Sequence, residues 1–294
     1  MFSWLSHWRI ISTNDLPNEA LAINEAISWQ DSAGPLIISR VDVSGELHYR
    51  LRLGDAVAVD VSPDRHLVAR SGPKVSKATI DHFLADQVFP RIMAYEGAFI
   101  LHAGAIRAGD GAILLMGPSG RGKSTLVTSF DQIGCDLLGD DAMIISWHED
   151  DPFTKAIYPS LRLMPDSIEA LLPGPLATTS VADYTPKQRI DIPIITQDDV
   201  LPLRIKAIFA IAEPTADGQI YLCRLTVAQA CMTFVESSFA LDPTDVSRAR
   251  DRLKDASALA HRVPTFEITY PRDYARLPEV HQAILDQLGE LKAA

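Results

Sequence analysis

Cysteine is scarce. Cys135, Cys223 and Cys231 are odd in number and widely spaced in a chain of 294 residues. That excludes a disulfide framework and a zinc site, and it fits a reducing cytoplasm. No run of about 18 apolar residues occurs, so no membrane-spanning helix is expected. The first twelve residues are apolar but short. They lack a basic start and a small-residue cleavage site, so no secretory signal is read. Basic residues are the minority charge, 27 Lys plus Arg against 38 Asp plus Glu, for a net charge of −11. Phosphate backbones reward cations, so broad nucleic-acid binding is not expected. There is no low-complexity segment and no internal repeat. With 47% hydrophobic and 22% charged residues the composition is that of a folded chain, long enough for one large domain or two smaller ones.

What is present begins with short β-rich runs at 35–43, 46–53, 55–61 and 66–70. Ser44-Gly45, Gly54-Asp55 and Ser62–Arg65 punctuate them. The pattern predicts a meander over residues 1–75 with no constellation of catalytic residue types, a scaffold or docking domain. Residues 76–294 form the remainder. Ile80, Phe83, Leu84, Val88, Ile92 and Met93 make one apolar face of a helix over 77–95. Runs at 98–108 and 112–117 predict a hairpin turned at Gly109-Asp110-Gly111. A helix over 123–133 is stopped by Gly134. A short strand leads to Asp140-Asp141, and 142–147 continues as strand. Between 150 and 202 the reading is a short helix at 166–172 and a mobile polar loop at 178–189. Strands at 205–212 and 219–225, helices at 227–236 and 244–261, a strand at 265–270 and a last helix at 275–291 follow.

The strongest motif is Gly117-Pro118-Ser119-Gly120-Arg121-Gly122-Lys123-Ser124, followed by Thr125. It matches G-x-x-x-x-G-K-[ST], with an apolar strand entering and an amphipathic helix leaving. Glycines let successive N–H groups turn inward on an anion, and the helix start adds partial positive charge. In such a loop Lys123 reaches the β- and γ-phosphates and Ser124 can ligate Mg²⁺. Nucleotide binding by residues 117–125 is therefore expected, with ATP and Mg²⁺ as cofactors. An ABC-type ATPase would need an LSGGQ-type signature and a later Asp-Glu strand end. A Ras-like GTPase would need an NKxD-type motif. Neither is present.

Asp140 and Asp141 follow the loop by one helix, a cap glycine and one strand, so the chain returns to the loop's mouth. Two adjacent carboxylates there can divide the work, one toward Mg²⁺ and one toward a nucleophile's proton. His102 lies in the strand that the hairpin brings back beside the loop. A strand histidine is ordinarily a packing residue, and the loop's proximity is what makes this one a candidate.

Taken together, Leu101-His102-Ala103, the Gly117–Ser124 loop, Gly134 and Asp140-Asp141 resemble the catalytic domain of HPr kinase/phosphorylase over about residues 98–147. That family has an α/β, mixed-sheet P-loop core related to phosphoenolpyruvate carboxykinase and phosphorylates a serine on a small phosphocarrier protein. The resemblance implies a catalytic domain over 76–294 behind a small β-rich domain. Asp141 would be the general base, His102 an active-site residue beside it, Lys123 and Ser124 the phosphate and metal holders, and Asp140 the metal-side carboxylate. The family's later arginine is matched by Arg162. Its metal-binding Glu has no counterpart, and Asp166 stands nearest. Residues 263–285 look like the divergent, peptide-modifying branch that includes lasso-peptide pathways.

Lys187 and Arg189 are candidate contacts to the transferred phosphate, by charge, beside a reading as a solvated basic patch. Arg272 and Arg276 are read as surface residues, and the Trp147–Asp151 cluster as a solvated turn. The expectation is a cytoplasmic ATP- and Mg²⁺-dependent serine kinase acting on a protein or peptide hydroxyl, with no nucleic-acid or membrane partner. A homo-oligomer is allowed. A small-molecule kinase and a nucleotide-binding regulator without turnover are the alternatives.

Overall fold

The computed structural model describes residues 7–13, 25–30, 36–43, 45–158, 161–172, 174, 176–190 and 201–293. Ser44, Pro159, Ser160 and most of the apolar run after Arg189 lie outside them. The protein is mixed α/β. It divides into two compact units, Met1–Phe89 with Ser180–Pro186, and Pro90–Thr179 with Lys187–Ala294.

In the first unit β1 (Arg9–Thr13), β2 (Glu25–Gln30), β3 (Leu36–Val43), β4 (Glu46–Leu53), β5 (Val57–Val61) and β6 (His66–Ser71) form one sheet, in the order β1-β6-β5-β4-β3-β2. From β3 to β6 each strand pairs antiparallel with the next, the meander that the turn residues predict. Alternation decides the faces: Leu51, Val59 and Leu67 are fully buried, while Asp60 pairs with Arg50 and Arg70 on the opposite face. The turn-based reading missed β1 and β2. β1 is defined by its parallel partner β6 rather than by pattern, since its Ile10 and Ile11 are both exposed.

The expected helix over 77–95 is interrupted. α1 (Lys77–Phe83) starts at Ser76, whose hydroxyl accepts from the Thr79 N–H, and α2 (Phe89–Tyr95) follows a single π turn over Leu84–Val88. Pro90 has no N–H to donate, and the widened turn, in which the Phe89 N–H reaches the Leu84 carbonyl, absorbs the defect.

The second unit is built around β9. The expected single strand over 98–108 is two, β7 (Phe99–Leu101) and β8 (Ala103–Ala108), broken at His102. β9 (Gly111–Met116) is buried along its whole length. Ala112, Leu114 and Met116 face one apolar cluster, and Ile113 and Leu115 face the other. A strand covered on both faces needs a continuous apolar run, which is what residues 112–116 provide. After it come α3 (Lys123–Ser129), a 3₁₀ turn over Phe130–Ile133 closed by Gly134 at φ 77°, and β10 (Leu137–Gly139). β11 (Met143–His148) and β12 (Asp151–Ala156) make a hairpin. β13 (Leu161–Leu163) and α4 (Pro165–Leu171) follow.

The polar stretch over 178–189 is not a loop. It forms β14 (Thr178–Ala182) and β15 (Thr185–Ile190) in a small sheet of order β13-β15-β14. Threonines at 178, 179 and 185 suit a pleated strand, and Val181, Ala182 and Ile190 are buried. The remaining elements are β16 (Leu203–Ile211), β17 (Tyr221–Arg224), α5 (Val227–Glu236), α6 (Val246–Arg262), β18 (Thr265–Thr269) and α7 (Leu277–Ala293).

The large sheet runs β10-β8-β9-β16-β12-β11-β7, with β18 also on β16 and β17 on β18. β9, β16 and β18 are mutually parallel. α5 and α6 contribute Ala230, Phe234, Ala256 and Leu259 to one cluster. α3 and α7 contribute Leu126, Val127, Val280 and Ile284 to the other. Each fully buried Phe or Leu in these layers stabilises by roughly 1.5–3 kcal/mol.

Candidate functional site

The site grows from an irregularity in one ladder. The strand pair 99–108 and 137–145 is antiparallel, with Leu137 opposite Ile106, Gly139 opposite Ala105 and Met143 opposite Leu101. Between these pairs the ladder opens, leaving 102–104 facing 140–142. Asp141 takes a left-handed conformation, φ 72°, in this gap. His102 donates its N–H to the Ser237 carbonyl at 2.7 Å instead of to the ladder. Across the opening His102 Nε2 lies 3.9 Å from Asp141 Oδ1.

Gly117 through Gly122 link β9 to α3. Gly120 and Gly122 sit at φ 80° and 87°, conformations that cost an L side chain, and Gly122 forms the N-cap of α3. Pro118, Ser119 and Gly120 form the exposed crest, and Lys123 is buried. Its Nζ lies 2.6 Å from His102 Nε2, 3.3 Å from Asp141 Oδ1 and 4.0 Å from Asp140 Oδ1. An ammonium only donates, so His102 Nε2 is the acceptor.

Arg162 on β13 completes the cluster. Its side chain is 2% exposed and donates to Asp141 Oδ2 at 2.9 Å and to the Tyr158 hydroxyl at 3.0 Å. Arg189 on β15 stands directly opposite Arg162 in the ladder. Lys187, two residues earlier, shares that face of the strand and contributes to the field at Asp141.

The two carboxylates are driven in opposite directions. Burial is the largest influence on Asp141 and raises it, but the charges of Arg162, Lys123 and Lys187 together hold it well below the usual carboxylate range. Burial and then the charge of Asp141 push Asp140 up, against smaller lowering by Lys123, Ser124 and Arg162. Asp140 is wholly buried, and neither of its oxygens has a hydrogen-bond partner. A buried carboxylate with no hydrogen bond, and only Lys123 at 4.0 Å, is costly, which makes Asp140 with Ser124 a fitting oxygen donor set for a hard cation. No group of three or more His, Cys, Asp or Glu among the described residues could hold a metal by itself.

Of the residues expected from sequence, His102, Lys123, Ser124, Asp140, Asp141 and Arg162 are brought together, with Lys187 close enough to act on Asp141. The Thr125 hydroxyl lies 3.1 Å from Ser167 Oγ, which is 3.0 Å from the Tyr274 hydroxyl. Asp166 accepts from Tyr274 at 3.0 Å and is not in the Asp141 cluster. In the Trp147–Asp151 segment, Glu149 and Asp150 form the β11–β12 turn, and Asp150 and Asp151 pair with Arg262 and Arg204.

Arg276 pairs with Glu279, and Arg272 is exposed, as expected of a surface residue. With Arg121 it flanks Glu213 beyond the end of β16, Arg121 in direct contact and Arg272 at 3.7 Å. Sequence reasoning missed Glu213. The signal was an acidic residue just past an apolar strand. It also missed Gly104, where a Cβ would meet Asp140 Oδ1 at 3.0 Å and Val127 Cγ2 at 2.5 Å. The signal there was a glycine inside a strand.

No family model matches the chain, and no curated protein matches it. Among solved structures, an HPr(Ser) kinase/phosphatase from Coxiella burnetii is similar at 11% sequence identity, with a TM-score of 0.40, over 66% of this chain and 93% of that one. That is a distant likeness, and nothing about chemistry follows from it. Among the described residues no helix is long and apolar enough to cross a membrane.

Proposed function

We propose that the protein is an ATP- and Mg²⁺-dependent phosphotransferase of the HPr-kinase-like class, passing a γ-phosphate to a hydroxyl, most simply a serine of a peptide or protein. The observation that carries the reading is the convergence of Lys123, at the end of a phosphate-loop motif, on Asp141 and His102 at 3.3 and 2.6 Å. A phosphate-binding group and a carboxylate in reach of one another are the minimum for transfer rather than binding alone.

In this reaction the backbone N–H groups of 117–124 and Lys123 hold the triphosphate, and Asp140 with Ser124 would hold Mg²⁺, whose chemistry is to neutralise charge on the phosphate oxygens. A carboxylate held by several cations is a weak base. When the γ-phosphate draws Lys123 toward itself, Asp141 loses one of them and its basicity rises. Asp141 takes the acceptor's hydroxyl proton as the oxygen forms its bond to the γ-phosphorus and the bond to the ADP oxygen breaks. Lys187 and Arg189, on the face of β15 that carries Arg162's partner position, are the cations available to the equatorial oxygens. The β-sheet of the first unit adds surface outside the Lys123–Asp141 cluster and suits docking of a macromolecular acceptor.

The test is transfer from radiolabelled ATP to serine peptides and to proteins encoded beside this one, with mass spectrometry of the product. Label on a Ser hydroxyl, lost on chelating Mg²⁺ and in Lys123→Ala, supports the reading. Label only on a free metabolite makes it a small-molecule kinase. Unchanged transfer in Lys123→Ala sinks the assignment.

A further inference from the structure

The sheet has a sidedness that fixes which way a nucleotide would lie in it. Counting outward from β9, whose end carries the Gly117–Ser124 loop, β8 and β10 lie on one side and β16 and β18 on the other. His102 and Asp140-Asp141 belong to the β8–β10 side, and Lys123 reaches toward them. Resting on the phosphotransfer reading, the γ-phosphate must point that way. The nucleoside, at the other end of the triphosphate, must then run over β16 and β18, one and two strand spacings away, about 5 and 10 Å. Those strands are parallel to β9, so their C-terminal ends open onto the same crevice, the place where open α/β sheets bind ligands.

At that edge stand three groups that the transfer chemistry leaves unused. Glu213 follows the end of β16. Its Oε1 is in contact with Arg121 of the loop, and its Oε2 lies 3.7 Å from Arg272, which follows β18. Tyr270 supports the loop from below: a Cβ on Gly122 would meet its hydroxyl at 3.4 Å. Burial pushes the Tyr270 phenol up to about 12, so it stays a neutral donor beside an anion.

We infer that Glu213 is the ribose-recognition residue of this site. A carboxylate offers two acceptor oxygens to two vicinal hydroxyls, a match that neutral donors and cations cannot make. The Glu213 side chain is 65% exposed, and an ion pair that open to water is readily exchanged. A triphosphate in the loop draws Arg121 to its own oxygens and frees Glu213 Oε1 for the sugar, while Arg272 keeps the carboxylate oriented through Oε2. The ligand class is thus a ribonucleoside triphosphate, lying from Asp141 on one side of the loop to Glu213 on the other.

The experiment is calorimetric titration of the full chain with the Mg²⁺ complexes of ATP, 2′,3′-dideoxy-ATP and inorganic tripolyphosphate. Wild type should prefer ATP to the dideoxy analogue about tenfold, the loss expected for sugar hydroxyls on a charged acceptor. Glu213→Ala should erase that preference and leave tripolyphosphate binding unchanged or tighter, because Arg121 is freed. Glu213→Gln, which keeps an acceptor oxygen, should retain part of the preference. An equal loss for ATP and tripolyphosphate would mean that Glu213 only positions the loop, and an ATP-to-dideoxy ratio insensitive to Glu213 would overturn the assignment directly. If wild type binds none of the three, the nucleotide reading itself has failed, a result distinct from either of these.

Discussion

Arg162 holds Asp141 by a 2.9 Å contact from inside the protein, its side chain 2% exposed against 13% for the carboxylate. The charge that keeps Asp141 ionised therefore comes from a buried guanidinium on β13, outside the loop motif. Arg162 also meets the Tyr158 hydroxyl and lies over its ring, 5.6 Å from the centroid. The guanidinium is fixed from two directions, so Asp141 is aimed as well as charged.

Removing one partner of a buried pair leaves the other charge uncompensated. Arg162→Ala should cost about 3–5 kcal/mol of unfolding free energy. Arg162→Ala with Asp141→Asn should cost less than the sum of the single changes. A urea-unfolding double-mutant cycle measures the coupling, and additivity would show that the pair contributes nothing.

Asp140 and Asp141 should separate in their effects. Asp141→Asn should slow the chemical step by about 10²–10⁴-fold with nucleotide affinity nearly unchanged, as expected for loss of a general base. Asp140→Asn should raise the melting temperature, because it removes a buried carboxylate that has no hydrogen bond and repels Asp141, while weakening the dependence on Mg²⁺. Thermal melts and Mg²⁺ titrations of the two variants decide it, and identical behaviour would refute the division of roles.

Gly104 should not tolerate a methyl group. Its added Cβ would press on Val127 Cγ2 at 2.5 Å and Asp140 Oδ1 at 3.0 Å. Gly104→Ala should cost about 1–3 kcal/mol, as overpacking does, and lower activity by displacing Asp140. Gly45→Ala serves as a comparison, since no atom lies within 4 Å of its Cβ position. It should cost some stability through its left-handed φ of 87° but leave activity alone.

His281 should give the fold a pH dependence of its own. It is buried against Phe130, with Nε2 2.7 Å from Ser129 Oγ and Nδ1 without a partner. Burial lowers its pKa below the ordinary value. The unfolded chain then takes up a proton near pH 6.5 that the native protein refuses, so stability is complete above that pH. It should fall with acidification by up to about 1.4 kcal/mol per pH unit until the depressed native value is reached. Urea midpoints between pH 7.5 and 5.5 should show this slope in wild type and a flatter one in His281→Gln. Parallel slopes would exclude the histidine.

How much of this was legible beforehand follows from the range of each interaction. The binary pattern determined most of the strands from β3 onward and the later helices, because burial of alternating or helically spaced apolar residues is a local requirement. Glycines and the Lys-Ser pair likewise marked the 117–124 loop, and one helix and one short strand placed Asp140-Asp141 near it. Three kinds of feature were decided only by tertiary structure. Strands such as β1, β14 and β15 lack a clear apolar pattern and exist because a partner strand takes their backbone hydrogen bonds. The break at His102 and the left-handed Asp141 depend on two segments failing to stay in register opposite each other, which neither segment encodes alone. Arg162 on Asp141, and Glu213 between Arg121 and Arg272, unite charges from distant parts of the chain. Their energies are set by distance and burial, quantities that come into being only when β9, β13, β16 and β18 have packed.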